Sequence, residues 1–227
     1  MTGKRGRYAV GKQRIEQILD AAYQRFATDG YGSTSLASIA RDAGLTEAGI
    51  LHYFRSKPGL LIAVSRRRLA TVESWWAGLP AEPDMFDILG RMLLSTRRLV
   101  ADAELIEFSV LNAVETARLV HAEDPVGETD QARAVAAVAA GFAACQERGQ
   151  LVESADPERL ARQCIALSDG LHLQWIICRR GFDLAAVILD HLEFVARSTV
   201  PDALRPPDVR ARLEQVAAAA DRALPSG

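Results

Sequence analysis

Between residues 46 and 57 the chain carries a run of side chains suited to touching a nucleic-acid duplex: Thr46, Glu47, Ala48, Gly49, Leu51, His52, Tyr53, Arg55 and Lys57. Helical spacing sorts them. Ile50 and Phe54 are four apart, share one face and turn inward as the apolar side. The opposite face then presents Ala48, Leu51, His52 and Arg55. Leu51 and Ala48 can meet a thymine methyl, and His52 can hydrogen-bond a base edge or a phosphate. Thr46, Tyr53 and Lys57 can hold phosphates. Thr34 and Ser35, just upstream, complete the candidate contact set together with Glu47 and Gly49. A glycine inside a helix costs about 1 kcal/mol relative to alanine. The advantage of Gly49 would be close backbone approach to a neighbouring helix or to DNA.

Other chemistries lack their residues. There is no glycine-rich phosphate loop, no nucleophile elbow, no paired catalytic carboxylates and no zinc motif, so an enzyme is not expected. His172 follows Asp169 by three residues, which suits a local hydrogen bond. No His or Cys stands at ligand spacing from His52, so neither a metal nor a cofactor is expected. Cys145, Cys164 and Cys178 are few, odd in number and far apart, which fits helix-core thiols in a reducing cytoplasm. The longest apolar run, Ala134 to Cys145, is too short and too alanine-rich for a membrane span. No apolar segment of a secretory signal follows the basic N-terminus. No membrane partner is expected, and the location expected is cytoplasmic.

The charge balance misleads until it is divided. The 227 residues hold 27 Lys and Arg against 29 Asp and Glu, a net of −2, which read whole argues against a polyanion binder. Residues 1–68 contain twelve Lys and Arg but five Asp and Glu, giving +7, and the remainder carries −9. A basic head precedes an acidic body.

The elements that must hold the candidate contacts are helices. Hydrophobic residues make up 49% of the chain, ample for a packed core, and no period-two alternation or Asn-Gly turn marks a strand. The fold expected is all-α. Residues 1–11 read as a flexible basic arm in which Lys4, Arg5 and Arg7 could meet DNA. Ile15, Ile18, Leu19, Ala22 and Phe26 then fall on one face of a helix over about 12–28. Ser35 caps a short helix of about 36–43, Ala43-Gly44-Leu45 turns, and Thr46 caps a helix of about 47–53 with Glu47 in its first turn. Pro58 opens a helix to about Ala77, in which Arg66-Arg67-Arg68 reads as a solvated face. Later helices are expected at about 84–101, 103–121, 129–148, 156–179, 183–199 and 207–223. Their breaks include Asp124-Pro125-Val126-Gly127, Gly149, Gly181 and Pro206-Pro207. The placement of the last helix stays open.

Two helices joined by a short turn containing Gly44 make the helix-turn-helix pattern, whose second helix enters the major groove. The stretch Thr34 to Lys57 resembles the helix-turn-helix of the tetracycline-repressor (TetR) family. Ile39-Ala40 with Ala43-Gly44-Leu45, His52-Tyr53-Phe54, and Ser56-Lys57 with Leu60 carry the likeness, which is sharp over about residues 12–60. Glu47 stands where the family often has Lys, and Leu51 where it often has Tyr. The resemblance implies residues 12–57 as the DNA-binding domain and 58–227 as a helical effector-binding and dimerisation domain.

It also implies partners. Family members dimerise through the last long helical hairpin, here containing Leu167, Leu171, Gln174, Val187, His191, Leu192 and Val195. The alternative is that these stripes are internal to one subunit. The family uses the middle helices as a ligand pocket, which points to Trp75, Met92, Phe108, Phe142 and Trp175, with Asn112, Glu115, His172 and Gln174 as polar candidates. The function implied is a ligand-responsive transcriptional repressor. It would bind double-stranded palindromic operator DNA as a homodimer and be released by a small, largely apolar effector. A helical dimeric interaction protein without DNA binding, and a small helical enzyme, are the alternatives.

Overall fold

The computed structural model describes residues 3–123 and 129–224, with side chains from Val10 to Ala122 and from Thr129 onward. Among them eleven α-helices and no strand are found. They are α1 (Gly3–Thr28), α2 (Gly30–Ser33), α3 (Leu36–Asp42), α4 (Glu47–Phe54), α5 (Lys57–Ser74), α6 (Met85–Ala101), α7 (Ala103–Glu123), α8 (Asp130–Glu147), α9 (Pro157–Ile177), α10 (Leu184–Thr199) and α11 (Val209–Ala223), with a 3₁₀ turn at Asp202–Leu204. The expected break at 124–127 lies outside the described residues.

Capping side chains set most of the starts. Ser35, Thr46, Asp84, Thr129, Asp156, Asp183 and Asp208 each accept a backbone N–H from the residue three further on. Each thereby satisfies one of the donors a helix start leaves open. The backbone of residues 3–11, expected as an arm, continues α1, which begins at Gly3. No proline interrupts that stretch, so its backbone can continue the helix despite Gly3, Gly6 and Gly11. The helix opened by Pro58 stops at Ser74, short of the expected Ala77, and a turn follows.

The chain packs as two units, Met1–Ala70 with Glu107–Gly127, and Thr71–Ile106 with Glu128–Gly227. Packing therefore does not divide the chain at the expected position after residue 57. In the first unit Ile18, Leu19, Ala22, Tyr23 and Phe26 of α1 meet Ile39 and Ala40 of α3, Ile50 of α4, Leu60, Leu61 and Val64 of α5, and Phe108 and Leu119 of α7. These apolar faces fall at helical intervals, and burying them is what fixes the helices about one another. The Tyr23 and Phe108 rings lie 5.2 Å apart.

In the second unit α6 is central, with Ile88, Leu89, Leu93 and Leu94 buried, and α8, α10 and α11 pack on it. The last helix is therefore docked: Gly90 of α6 admits Val216 of α11 so closely that a Cβ there would lie 2.5 Å from the valine Cγ1. Arg98–Asp221 at 2.8 Å and Arg210–Asp190 at 2.6 Å tie the same helix to α6 and α10. Arg91, buried, donates to the Trp75 carbonyl at 2.7 Å, which gives the buried guanidinium an acceptor.

Candidate nucleic-acid interface

The turn from α3 to α4 is built by local bonds. Ser35 and Ser38 cap each other's backbone N–H groups at the start of α3. Gly44 sits at φ +65°, a conformation that costs glycine little, and Leu45 N–H closes the turn onto the Ala40 carbonyl at 2.8 Å. Thr46 Oγ1 then accepts Gly49 N–H at 3.1 Å and starts α4. Only Ile50 of α4 is fully buried, and Phe54 is partly covered against the same core, as their spacing predicts. Arg25 ties α1 to the end of α3: Nε donates to Asp42 Oδ2 at 2.5 Å, while Nη1 donates to Asp29 Oδ2 at 2.9 Å.

The far end of α4 turns sharply. Arg55 adopts φ 58° and ψ −31°, and Ser56 N–H meets the Phe54 carbonyl at 2.6 Å, the geometry of a strained γ-turn. Ser56 Oγ accepts Gly59 N–H at 3.1 Å and starts α5. Gly59 is required there, because an added Cβ would lie 2.7 Å from the Phe54 carbonyl oxygen. These three devices fix the direction in which α4 points.

The outward face of α4 is open. Thr46, Glu47, Ala48, Leu51, His52, Tyr53 and Arg55 are exposed, and Ser35 beside them is too. The His52 and Tyr53 rings meet edge to face at 5.2 Å. A Cβ added to Gly49 would touch only Thr46 Oγ1 at 3.4 Å and Leu45 Cβ at 3.9 Å, so no neighbouring helix requires a glycine there.

Two expected contacts are placed differently. Thr34 is 4% exposed and its hydroxyl donates to the Gly30 carbonyl at 2.8 Å, so it locks the turn before α3 and does not face outward. Lys57 carries its ammonium 4.3 Å from the centre of the Tyr31 ring and 3.5 Å from the Gly32 carbonyl, with its pKa lowered by burial. A phosphate must draw it from that seat. The expected solvated face at Arg66–Arg68 is also corrected for two members. Arg67 bonds Glu16 and Asp20 of α1, and the Arg68 guanidinium lies 3.4 Å from the Tyr23 ring centre. Arg66 remains exposed.

Two family profiles match the chain: bacterial regulatory proteins of the tetR family over residues 18–64, and the C-terminal part of BetI-type transcriptional repressors over residues 121–200. The chain belongs to the TetR family of transcriptional regulators. This TetR-family chain is 41% identical over 80 residues to the HTH-type transcriptional regulator RutR of Escherichia coli, 35% of each chain. It is 33% identical over 100 residues to the HTH-type transcriptional repressor Rv1474c of Mycobacterium tuberculosis, 40% of this chain and 54% of that one. These matches span about a third to a half of the relatives' lengths. Over 86% of this chain and 95% of the other, the TetR fold superposes on SmeT, repressor of a multidrug efflux pump of Stenotrophomonas maltophilia, with a TM-score of 0.70 at 23% identity. The homologues and fold neighbours of this TetR-family chain are regulators, not enzymes.

The residues expected at a dimer interface separate into two sets. Leu167, Gln174 and Val187 are exposed, and Leu171 and His191 half-buried. Leu192 at 2% and Val195 at 4% exposure are buried within the second unit, which corrects their placement: they point to the inner side of α10. Sequence reasoning missed the most exposed apolar groups of the hairpin, Ile177 at 69% and Phe194 at 67%. Val187, His191 and Phe194 at i, i+4 and i+7 were the signal.

The expected pocket set also divides. Phe108, Asn112 and Glu115 belong to the first unit. There Phe108 is core, Asn112 Nδ2 donates to the Phe108 carbonyl at 2.9 Å, and Glu115 pairs with Arg118 at 2.7 Å. Trp75, Met92, Phe142, His172 and Trp175 belong to the second, and Trp175 Nε1 donates to the Phe182 carbonyl at 3.1 Å. His172 differs from these: its Nε2 is buried without a hydrogen-bond partner among the described residues, and burial lowers its pKa to about 4. Asp169, whose pKa burial raises, accepts Gln131 Nε2 at 2.5 Å.

Proposed function

We propose that the chain represses transcription as a homodimer whose two α4 helices read a palindromic operator, and that a small, largely apolar effector held by the second unit releases it. The exposed face of α4 carries this reading. It projects from a braced turn, combines apolar, imidazole, hydroxyl and guanidinium groups, and sits in the basic part of the chain. Phosphate attraction supplies most of the non-specific affinity and the base-facing side chains add selectivity.

Exposed Ile177 of α9 and Val187 and Phe194 of α10 support dimerisation through these helices, because exposed large apolar groups are what an association surface would cover. A two-fold pairing would set the reading helices about 34 Å apart, one turn of duplex. His172 Nε2, without a partner among the described residues, supports an effector site, since a buried imidazole without a partner gains from a ligand that donates to it.

Titration of duplexes from the chain's own promoter region at several salt concentrations tests the DNA reading. A steep log–log salt slope is expected, and a slope near zero removes phosphate contact. Linkage requires that operator weaken effector binding by the factor by which effector weakens operator binding. Equal effector affinity with and without operator would refute release by that route. Salt-independent self-association with no duplex binding would favour a helical interaction protein.

A further inference from the structure

The role of α4 as the DNA-reading helix, on which this inference rests, leaves one of its residues without a purpose. Glu47 places an exposed carboxylate at the first position of α4, in the basic part of the chain. Two local roles fail for it. A capping box needs its carboxylate at the third position, which is Gly49, and the Gly49 N–H is already held by Thr46. An ion pair is absent too: among the described residues no Lys, Arg or His nitrogen lies within 4.0 Å of the Glu47 carboxylate. The helix dipole favours a carboxylate here only modestly, and a neighbouring phosphate opposes it as a like charge.

The base edges of the major groove give that carboxylate a partner. Guanine presents acceptors at O6 and N7, and thymine presents O4, all of which repel it. Adenine offers an amine at N6 but sets the N7 acceptor beside it. Cytosine offers its N4 amine with no acceptor on the same base. Leu51 lies four residues on, directly beside Glu47 on the helix surface and also exposed, so it can cover the apolar C5 edge of the same pyrimidine.

We propose that Glu47 is a specificity-determining residue that accepts the N4 amine of a cytosine in each half-site and opposes every complex in which only phosphates face it. The carboxylate then acts twice. It adds a charge-assisted bond in the matched complex, and it weakens non-specific binding, so the ratio between the two grows.

The test selects duplexes from a random-sequence library with the full chain, with Glu47→Gln and with Glu47→Ala. The selected duplex and its three replacements at the cytosine position are then titrated by fluorescence anisotropy, beside an unrelated duplex. The wild type is expected to select a C·G pair there and to lose about tenfold or more on its replacement. Glu47→Ala should lose the preference for C·G over T·A, keeping only what pyrimidine preference Leu51 supplies, and should bind the unrelated duplex more tightly than the wild type does. Glu47→Gln should keep part of the preference, because its amide oxygen still accepts, while gaining non-specific affinity. Selection unchanged by either substitution, or a uniform loss on every duplex, overturns the assignment alone. A wild type that binds no duplex overturns the reading of α4 and this inference with it. Melting curves of the variants should stay close to the wild type, since the side chain is exposed and only the modest helix-dipole contribution is lost.

Discussion

At residue 49 the chain sets a poor helix former in the middle of a short helix where no neighbour needs it. The space beside Gly49 would take a methyl at ordinary contact distance. Gly49→Ala should therefore raise folding stability by about 1 kcal/mol, read as a higher Tm, while weakening operator binding. If stability rises and binding is unchanged, the glycine has no role at the duplex. His172 gives a second prediction at this scale. Its folded pKa is about 4 against an ordinary 6.5, because burial disfavours the charged imidazole. As pH falls below 6.5 the unfolded chain takes up a proton that the folded chain refuses. Stability should fall through that window and level off below about 4, by up to about 3 kcal/mol. Asp169, with its pKa raised, pulls the opposite way, so the measured quantity is the difference between the wild type and His172→Gln in urea unfolding at pH 7 and pH 5. A variant that loses as much stability as the wild type would show that His172 is not the group responsible.

At the scale of elements, the helices were legible because apolar residues recur at 3.6-residue spacing and because Ser, Thr and Asp stand at their starts. The two shortest pieces, Gly30–Ser33 and Asp202–Leu204, were not, since a single turn has no periodicity to read. Within the candidate site the inward Ile50 and the outward Leu51 were both readable from spacing. Thr34 was not: Thr34 and Ser35 are adjacent hydroxyls, and only the backbone decides which one bonds inward. The same limit misplaced Leu192 and Val195. Sequence marks them apolar without saying whether α6 or another subunit covers them. The docking of α11 was equally hidden, because it depends on Gly90 meeting Val216 across sequence-distant helices. Gly90→Ala should cost about 1–3 kcal/mol by overpacking, measured by chemical denaturation, and Val216→Ala in the same chain should recover part of it. If the double variant is no more stable than Gly90→Ala, the close approach is not the cause.

For the whole molecule the net charge of −2 conceals a head and a body of opposite sign. On the proposed function, phosphates would attract the first and repel the second. Two heads would then bind one operator only if the bodies join them, and the two sides of α10 let that step be separated from folding. Leu192 lies inside, so Leu192→Ala should destabilise the subunit by about 2–5 kcal/mol. Phe194 lies outside at 67% exposure, so Phe194→Glu should leave the subunit folded by circular dichroism. On the proposed pairing a carboxylate from each copy would then face its like across a two-fold contact, and sedimentation should find monomer where that pairing expects the wild type to be dimer. Operator affinity should drop steeply, because one head retains the contacts of a half-site and loses the effective concentration that the second supplies. Binding to unrelated duplex should fall much less, since single heads still meet phosphates. A Phe194→Glu chain that remains dimeric would place the subunit contact elsewhere than α9 and α10. One that becomes monomeric yet keeps full operator affinity would mean that a single head suffices, and the palindrome would lose its physical basis.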